Sequence, residues 1–113
     1  MSVEHKYHKQ LIFDLDTVLL RKLYGESYTD VYYWIRSFLN QNGFDHIEGS
    51  GYLSKVPISD LQLAQILIKL VEKYPFLDRC VKEIHSANVS DRHSWSDHFH
   101  YDGTLDGYKS IDL

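Results

Sequence analysis

Between residues 10 and 89 the spacing of apolar residues switches from strand-like to helix-like and back, twice, and that order leaves few folds open. Gln10 to Leu15 is short, apolar and followed by acidic residues, as expected of a buried strand. Thr17 to Glu26 reads as a loop with a short helical turn that Gly25 breaks. Ser27 to Gln41 puts Tyr28, Val31, Tyr32, Ile35, Phe38 and Leu39 on one stripe at three and four spacing, which predicts a helix. Ser27 is its expected cap, with Asp30 as capping partner, and Asn42-Gly43 stops it. Phe44 to Glu48 and Tyr52 to Lys55 are short strands around Gly49-Ser50-Gly51, a hairpin turn or a β-bulge. A second helix starts at Pro57 and Ser59-Asp60 and ends at Tyr74-Pro75, because the residue before proline disfavours helix. Leu61, Ala64, Leu67, Ile68 and Val71 form its expected buried face, widened by Leu63, Ile66 and Leu70. Phe76 to Cys80 connects it to a last strand, Val81 to Val89, with Val81, Glu83, His85 and Ala87 on one side.

The order β-α-β-β-α-β is the ferredoxin-like plan: an α+β sandwich with an antiparallel sheet, followed here by a C-terminal tail or extra strand. A chain of 113 residues is one domain, with its core at about 10–89 and the tail at 90–113. Two helices cover one face of such a sheet, so the other needs a partner, and a homodimer is the expected answer. No apolar run is long enough to span a membrane, and MSVEHKYHKQ has no apolar core of a signal peptide. The single Cys80 excludes an intramolecular disulfide. These features favour a cytoplasmic protein. A net charge of −4 argues against an extensive nucleic-acid-binding face, though not against a local patch touching a few phosphates.

The chemistry-bearing residues begin with Asp14 and Asp16, at the end of the first strand. A carboxylate there can hold a hard divalent cation, act as a general base, or be a solvated strand end. The two share a face only if the strand runs on to Asp16. Asp14-Leu15-Asp16-Thr17-Val18 also fits the nucleophile loop of haloacid-dehalogenase-type phosphatases. That fold, however, needs a parallel sheet with crossover helices, a later Lys and a later acidic pair. Ser50, between two glycines, can offer its hydroxyl and nearby amides to a phosphate, or simply serve the turn.

The residues around and beyond Asp16 separate these readings. Phe13-Asp14-Leu15-Asp16-Thr17, Tyr24-Gly25 with Tyr28, Ile35-Arg36 with Leu39, Gly43-Phe44, and Glu48-Gly49-Ser50 with Tyr52 occur in the order FDLDT, YG-x-x-Y, IR-x-x-L, GF, QGS-x-Y. The series resembles the virulence-associated protein D (VapD) family, over roughly Leu11 to His85. The resemblance implies a Cas2-like ferredoxin fold that dimerises sheet to sheet, with Asp14 near the two-fold axis. It also implies an endoribonuclease, a toxin of a toxin–antitoxin system that cleaves single-stranded RNA. Asp14, Ser50 and Glu83 would be catalytic, with Asp14 acting directly or through Mg²⁺ held by Asp14 and Asp16; Arg36 and Lys55 would be phosphate contacts or ordinary surface charges, and Tyr24 would contact the substrate. A small antitoxin protein would be a partner. This chain departs from the family at Glu48, where Gln is usual, and in Lys82-Glu83-Ile84-His85, where the family commonly reads R-D-I-R. Those losses remove bidentate phosphate donors, which keeps open a Cas2-like structural protein without catalysis.

Two further features carry weaker signals. The tail holds His93, His98 and His100 among Asp91, Asp97 and Asp102, a density able to bind Zn²⁺ or Ni²⁺. Its Trp95, Phe99 and Tyr101 suggest packing on a partner protomer instead. The tyrosines at 24, 28, 32, 33 and 52 can stack on bases, although helical spacing assigns Tyr28 and Tyr32 to the core.

Overall fold

The computed structural model describes residues 5–90 and 93–108. Its core is a four-stranded sheet in the order β2-β3-β1-β4, built from β1 (His8–Leu15), β2 (Phe44–Glu48), β3 (Gly51–Ser54) and β4 (Val81–Val89). Every neighbouring pair is antiparallel. The fold is therefore α+β and compatible with the ferredoxin-like plan. The same pairing removes the phosphatase reading, which requires a parallel sheet. Residues 93–108 carry only a 3₁₀ turn, Ser96–His98, so within the described residues the C-terminal segment is a tail rather than a strand. Asp91 lies outside the described residues.

The segment read as a loop with a short helical turn broken by Gly25 is helical from Thr17 to Tyr24, and Gly25 does end it. Helix α1 (Thr17–Tyr24) starts directly after β1 because the Asp16 side chain accepts from Leu19 N at 3.0 Å and caps it. A 3₁₀ stretch, Gly25–Thr29, follows and delays α2 (Asp30–Gln41), so Ser27 is not a cap. The expected stripe of α2 holds: Val31, Ile35, Phe38 and Leu39 are buried, and Tyr28 and Tyr32 pack against them half-buried.

Helix α3 (Asp60–Lys73) opens on a complete capping box, with the Ser59 and Gln62 side chains each bonded to the other's backbone N–H. Its rotation corrects the expectation. Leu63 and Leu70 are buried, Ile66 and Leu67 half-buried, while Leu61, Ile68 and Val71 face outward. The helix is apolar nearly all round, so periodicity offered two stripes, and docking on the sheet selected the narrower one. A short α4 (Leu77–Cys80) replaces the expected connection.

Along β1, Leu11, Phe13 and Leu15 point to the helices and are buried, while Ile12 and Asp14 point to the open face. Lys9, on the helix side, is also buried. Its ammonium bonds Asp60 Oδ1 at 2.6 Å and the Asn88 side chain, tying β1 to α3 and β4.

Candidate active site

Asp14 sits one residue from the end of β1, next to a register shift between Asp14 and Leu15. Bulges of this kind re-aim side chains and recur beside active sites. Directly opposite Asp14 on β4 is Glu83. Cross-strand partners point to the same face with Cβ atoms about 5 Å apart, so two exposed carboxylates meet on the open side of the sheet. Two like charges placed so repel each other, and a cation beside them would relieve that repulsion. His85 belongs to the same face, with Nε2 3.5 Å from Glu83 Oε2.

The β2–β3 turn closes the other side. The Phe13 amide donates to the Ser50 carbonyl at 3.4 Å, and Ile12 pairs with Gly51, so Ser50 flanks β1 beside Asp14. Two features hold the turn. Gly49 adopts φ +49, and a Cβ on Gly51 would come within 3.1 Å of the Glu48 carbonyl oxygen. Together with this, the His46 ring nitrogen Nε2 bonds the Gly49 carbonyl at 2.7 Å, and the ring packs edge-on to Tyr52 at 5.1 Å. Backbone pairing thus brings Asp14, Glu83 and Ser50, drawn from three separate parts of the sequence, to the same end of the sheet.

The remaining expected residues divide. Arg36, exposed on α2, lines a depression with Ser50, Tyr32 and Tyr52, so it belongs to this end of the molecule. Asp16 does not share the face of Asp14: the strand ends at Leu15 and its carboxylate caps α1. Tyr24 packs edge-on against Trp34 at 5.4 Å and Phe76 at 5.2 Å, within an aromatic cluster. Lys55 follows β3 at the opposite end, 3.8 Å from Asp45. Its neighbour Ser54 accepts from the Lys9 amide, five residues and roughly 17 Å of strand away from Asp14.

Tyr32 is the residue that periodicity alone assigned to the core. Burial pushes its hydroxyl pKa up, and the charges of Tyr28 and Asp14 add to the rise. The hydroxyl stays protonated at neutral pH, available as a hydrogen-bond donor. Tyr28 is held in turn by Arg21, whose Nη2 donates to its hydroxyl at 3.1 Å. The signal for Tyr32 lies in its position on the stripe nearest the 3₁₀ turn, where the apolar face runs out at the sheet end.

Asp14 and Glu83 are the residues that would hold a divalent cation at this place, since Mg²⁺ is commonly held by one or two carboxylates, with water and substrate phosphate completing the shell. Among the described residues no three His, Cys, Asp or Glu side chains converge, in the tail or elsewhere. No helix among them is long and apolar enough to cross a membrane.

No family model matches the chain. Curated relatives do. An endoribonuclease VapD 2 of Riemerella anatipestifer is 30% identical over 82 residues, 72% of this chain and 87% of the relative. An endoribonuclease VapD of Dichelobacter nodosus is 35% identical over 89 residues, 77% and 88% of the two chains. That of Helicobacter pylori is 30% identical over 81 residues, 72% and 86%.

Proposed function

Since this chain belongs to the VapD endoribonuclease family, we propose that it cleaves single-stranded RNA at the sheet end where Asp14, Glu83 and Ser50 meet. That convergence is the observation that supports the reading. Asp14 is the general base toward water or a 2′-hydroxyl. Glu83 stands beside it or, with Asp14, would hold Mg²⁺, which would supply charge neutralisation at the phosphate. Ser50 and the Tyr32 hydroxyl donate to phosphate oxygens, and Arg36 adds the nearest guanidinium.

The protein further acts, in this reading, as a homodimer and as the toxin of a toxin–antitoxin pair in the cytoplasm. The open sheet face, with Ile12 47% exposed beside the exposed Ile47, supports the dimer. The test is cleavage of labelled single-stranded RNA by the wild type and Asp14→Asn, with and without EDTA. Cutting by wild type that Asp14→Asn loses is the expected result; equal cutting by both removes Asp14 from the chemistry. Sensitivity to EDTA decides for the cation. A folded wild type that binds RNA and leaves it intact would favour the non-catalytic, Cas2-like reading, which the engagement of Glu83 by His85 supports.

A further inference from the structure

The outer face of α2 runs away from the Ser50 turn, and its composition is unlike the rest of the protein. A depression of about 330 Å³ beside the turn is lined by Tyr32, Tyr33 and Arg36 of this helix. A second, of about 480 Å³, continues along Ser37, Asn40 and Gln41 and shares Tyr33 and Arg36 with the first. In a chain of net charge −4, neither depression is lined by a carboxylate, and their one charge is the guanidinium of Arg36. Tyr33 is 65% exposed, with the Arg36 guanidinium 5.8 Å from its ring centroid. An aromatic face left in water, a guanidinium beside it and a row of hydroxyl and amide side chains are the parts of a single-strand binding surface. Stacking serves any base, and amides bond base edges or the ribose.

We propose that this face of α2 is a single-stranded RNA track leading into the Ser50 turn, with a base stacked on Tyr33 and the adjoining phosphate on Arg36. The track rests on the ribonuclease reading and deepens it, giving the site its flanking-nucleotide subsites. It places the scissile phosphate at the turn and the neighbouring nucleotides along Ser37, Asn40 and Gln41. Duplex RNA is excluded from such stacking because its bases are already paired and stacked.

Binding of a fluorescein-labelled 2′-O-methyl octanucleotide to the full chain, followed by anisotropy, tests it. Tyr33→Ala is expected to raise Kd on the order of tenfold, with Tyr33→Trp restoring it. Ser37→Glu, which adds a carboxylate to the track, should weaken binding further as salt is lowered. The duplex of the same sequence should compete poorly. Both positions are exposed, so circular dichroism should match wild type. Wild-type Kd values for Tyr33→Ala and Ser37→Glu would overturn the track, as would equal competition by duplex. Cleavage of a long RNA separates the two ideas. Wild-type cutting that both variants leave unchanged in KM overturns the track and spares the ribonuclease. A wild type that neither binds nor cuts overturns both.

Discussion

Asp14 is exposed on the open face and faces another carboxylate, so its value to the fold is small, while the proposed function gives it the role of base. Asp14→Asn should lower single-turnover RNA cleavage by about 10²–10⁴. The same change should leave stability within about 0.5 kcal/mol, because it alters only a surface group and relieves repulsion with Glu83. Quench-flow rates and thermal melts check both halves, and a fall in melting temperature matching the loss of activity would contradict the division. Tyr52 is the opposite case: it is buried, stacked on Phe13 at 5.7 Å, and its hydroxyl pKa is raised by burial, with Arg36 pulling it partly back. A raised folded pKa means that stability is fully present below the unfolded value of about 10 and is lost as pH climbs through the folded value. The urea midpoint should therefore drop as pH rises above about 10. Tyr52→Phe should shrink the drop without erasing it, since the Tyr32 hydroxyl is raised in the same sense. An equal drop in the variant would place the alkaline sensitivity elsewhere.

At the scale of elements, caps and cross-links decide how the pieces are set. Asp16 starts α1 where only a short helical turn was expected, because one carboxylate oxygen on Leu19 N satisfies an amide that would otherwise be left at the helix start. The tie from Lys9 to Asp60 and Asn88 fixes the start of α3 over β1. Its two ends differ sharply: the Lys9 side chain is 2% exposed and that of Asp60 91%. Removing Asp60 leaves a buried ammonium with Asn88 alone, whereas removing the ammonium returns Asp60 to water. Asp60→Ala should thus cost about 1–3 kcal/mol, and Lys9→Met markedly less. Denaturant titrations of both variants settle it, and the reverse order would mean that the ammonium, not its partner, carries the tie.

For the whole molecule, the sheet has one covered face and one bare one. Strand β4 is exposed along most of its length, and Trp95, Phe99, Tyr101, Leu105 and Tyr108 of the tail are all well exposed. Covering apolar area contributes about 25 cal/mol per Å², and a chain of this size has little core to spare. Sedimentation at micromolar concentration should give twice the 13.3 kDa of one chain. Ile12→Asp, at the middle of the bare face, should return it to a monomer with its secondary structure intact. A monomeric wild type, or a dimer indifferent to Ile12→Asp, would move the interface away from this face.

Local periodicity was enough to order the elements, because burial of one face imposes a spacing that each segment carries within itself. The β-α-β-β-α-β order, the stripe of α2 and the end of α3 at Tyr74 were legible for that reason. Asp14 and Ser50 were legible as candidates because each lies at a strand end or glycine turn. Nothing local says which elements become neighbours. Only strand order and register brought Glu83 opposite Asp14 and Ser50 beside Phe13. Only packing turned Leu63 and Leu70 inward instead of Leu61 and Ile68, and drew Tyr24 into an aromatic cluster. Lys55 looked close to Ser50 in sequence, yet β3 carries it to the far end of the sheet, since an extended strand advances about 3.3 Å with every residue. The sequence by itself determined the parts and the chemistry they hold; the antiparallel pairing of β1 with β3 and β4 decided which of those groups meet.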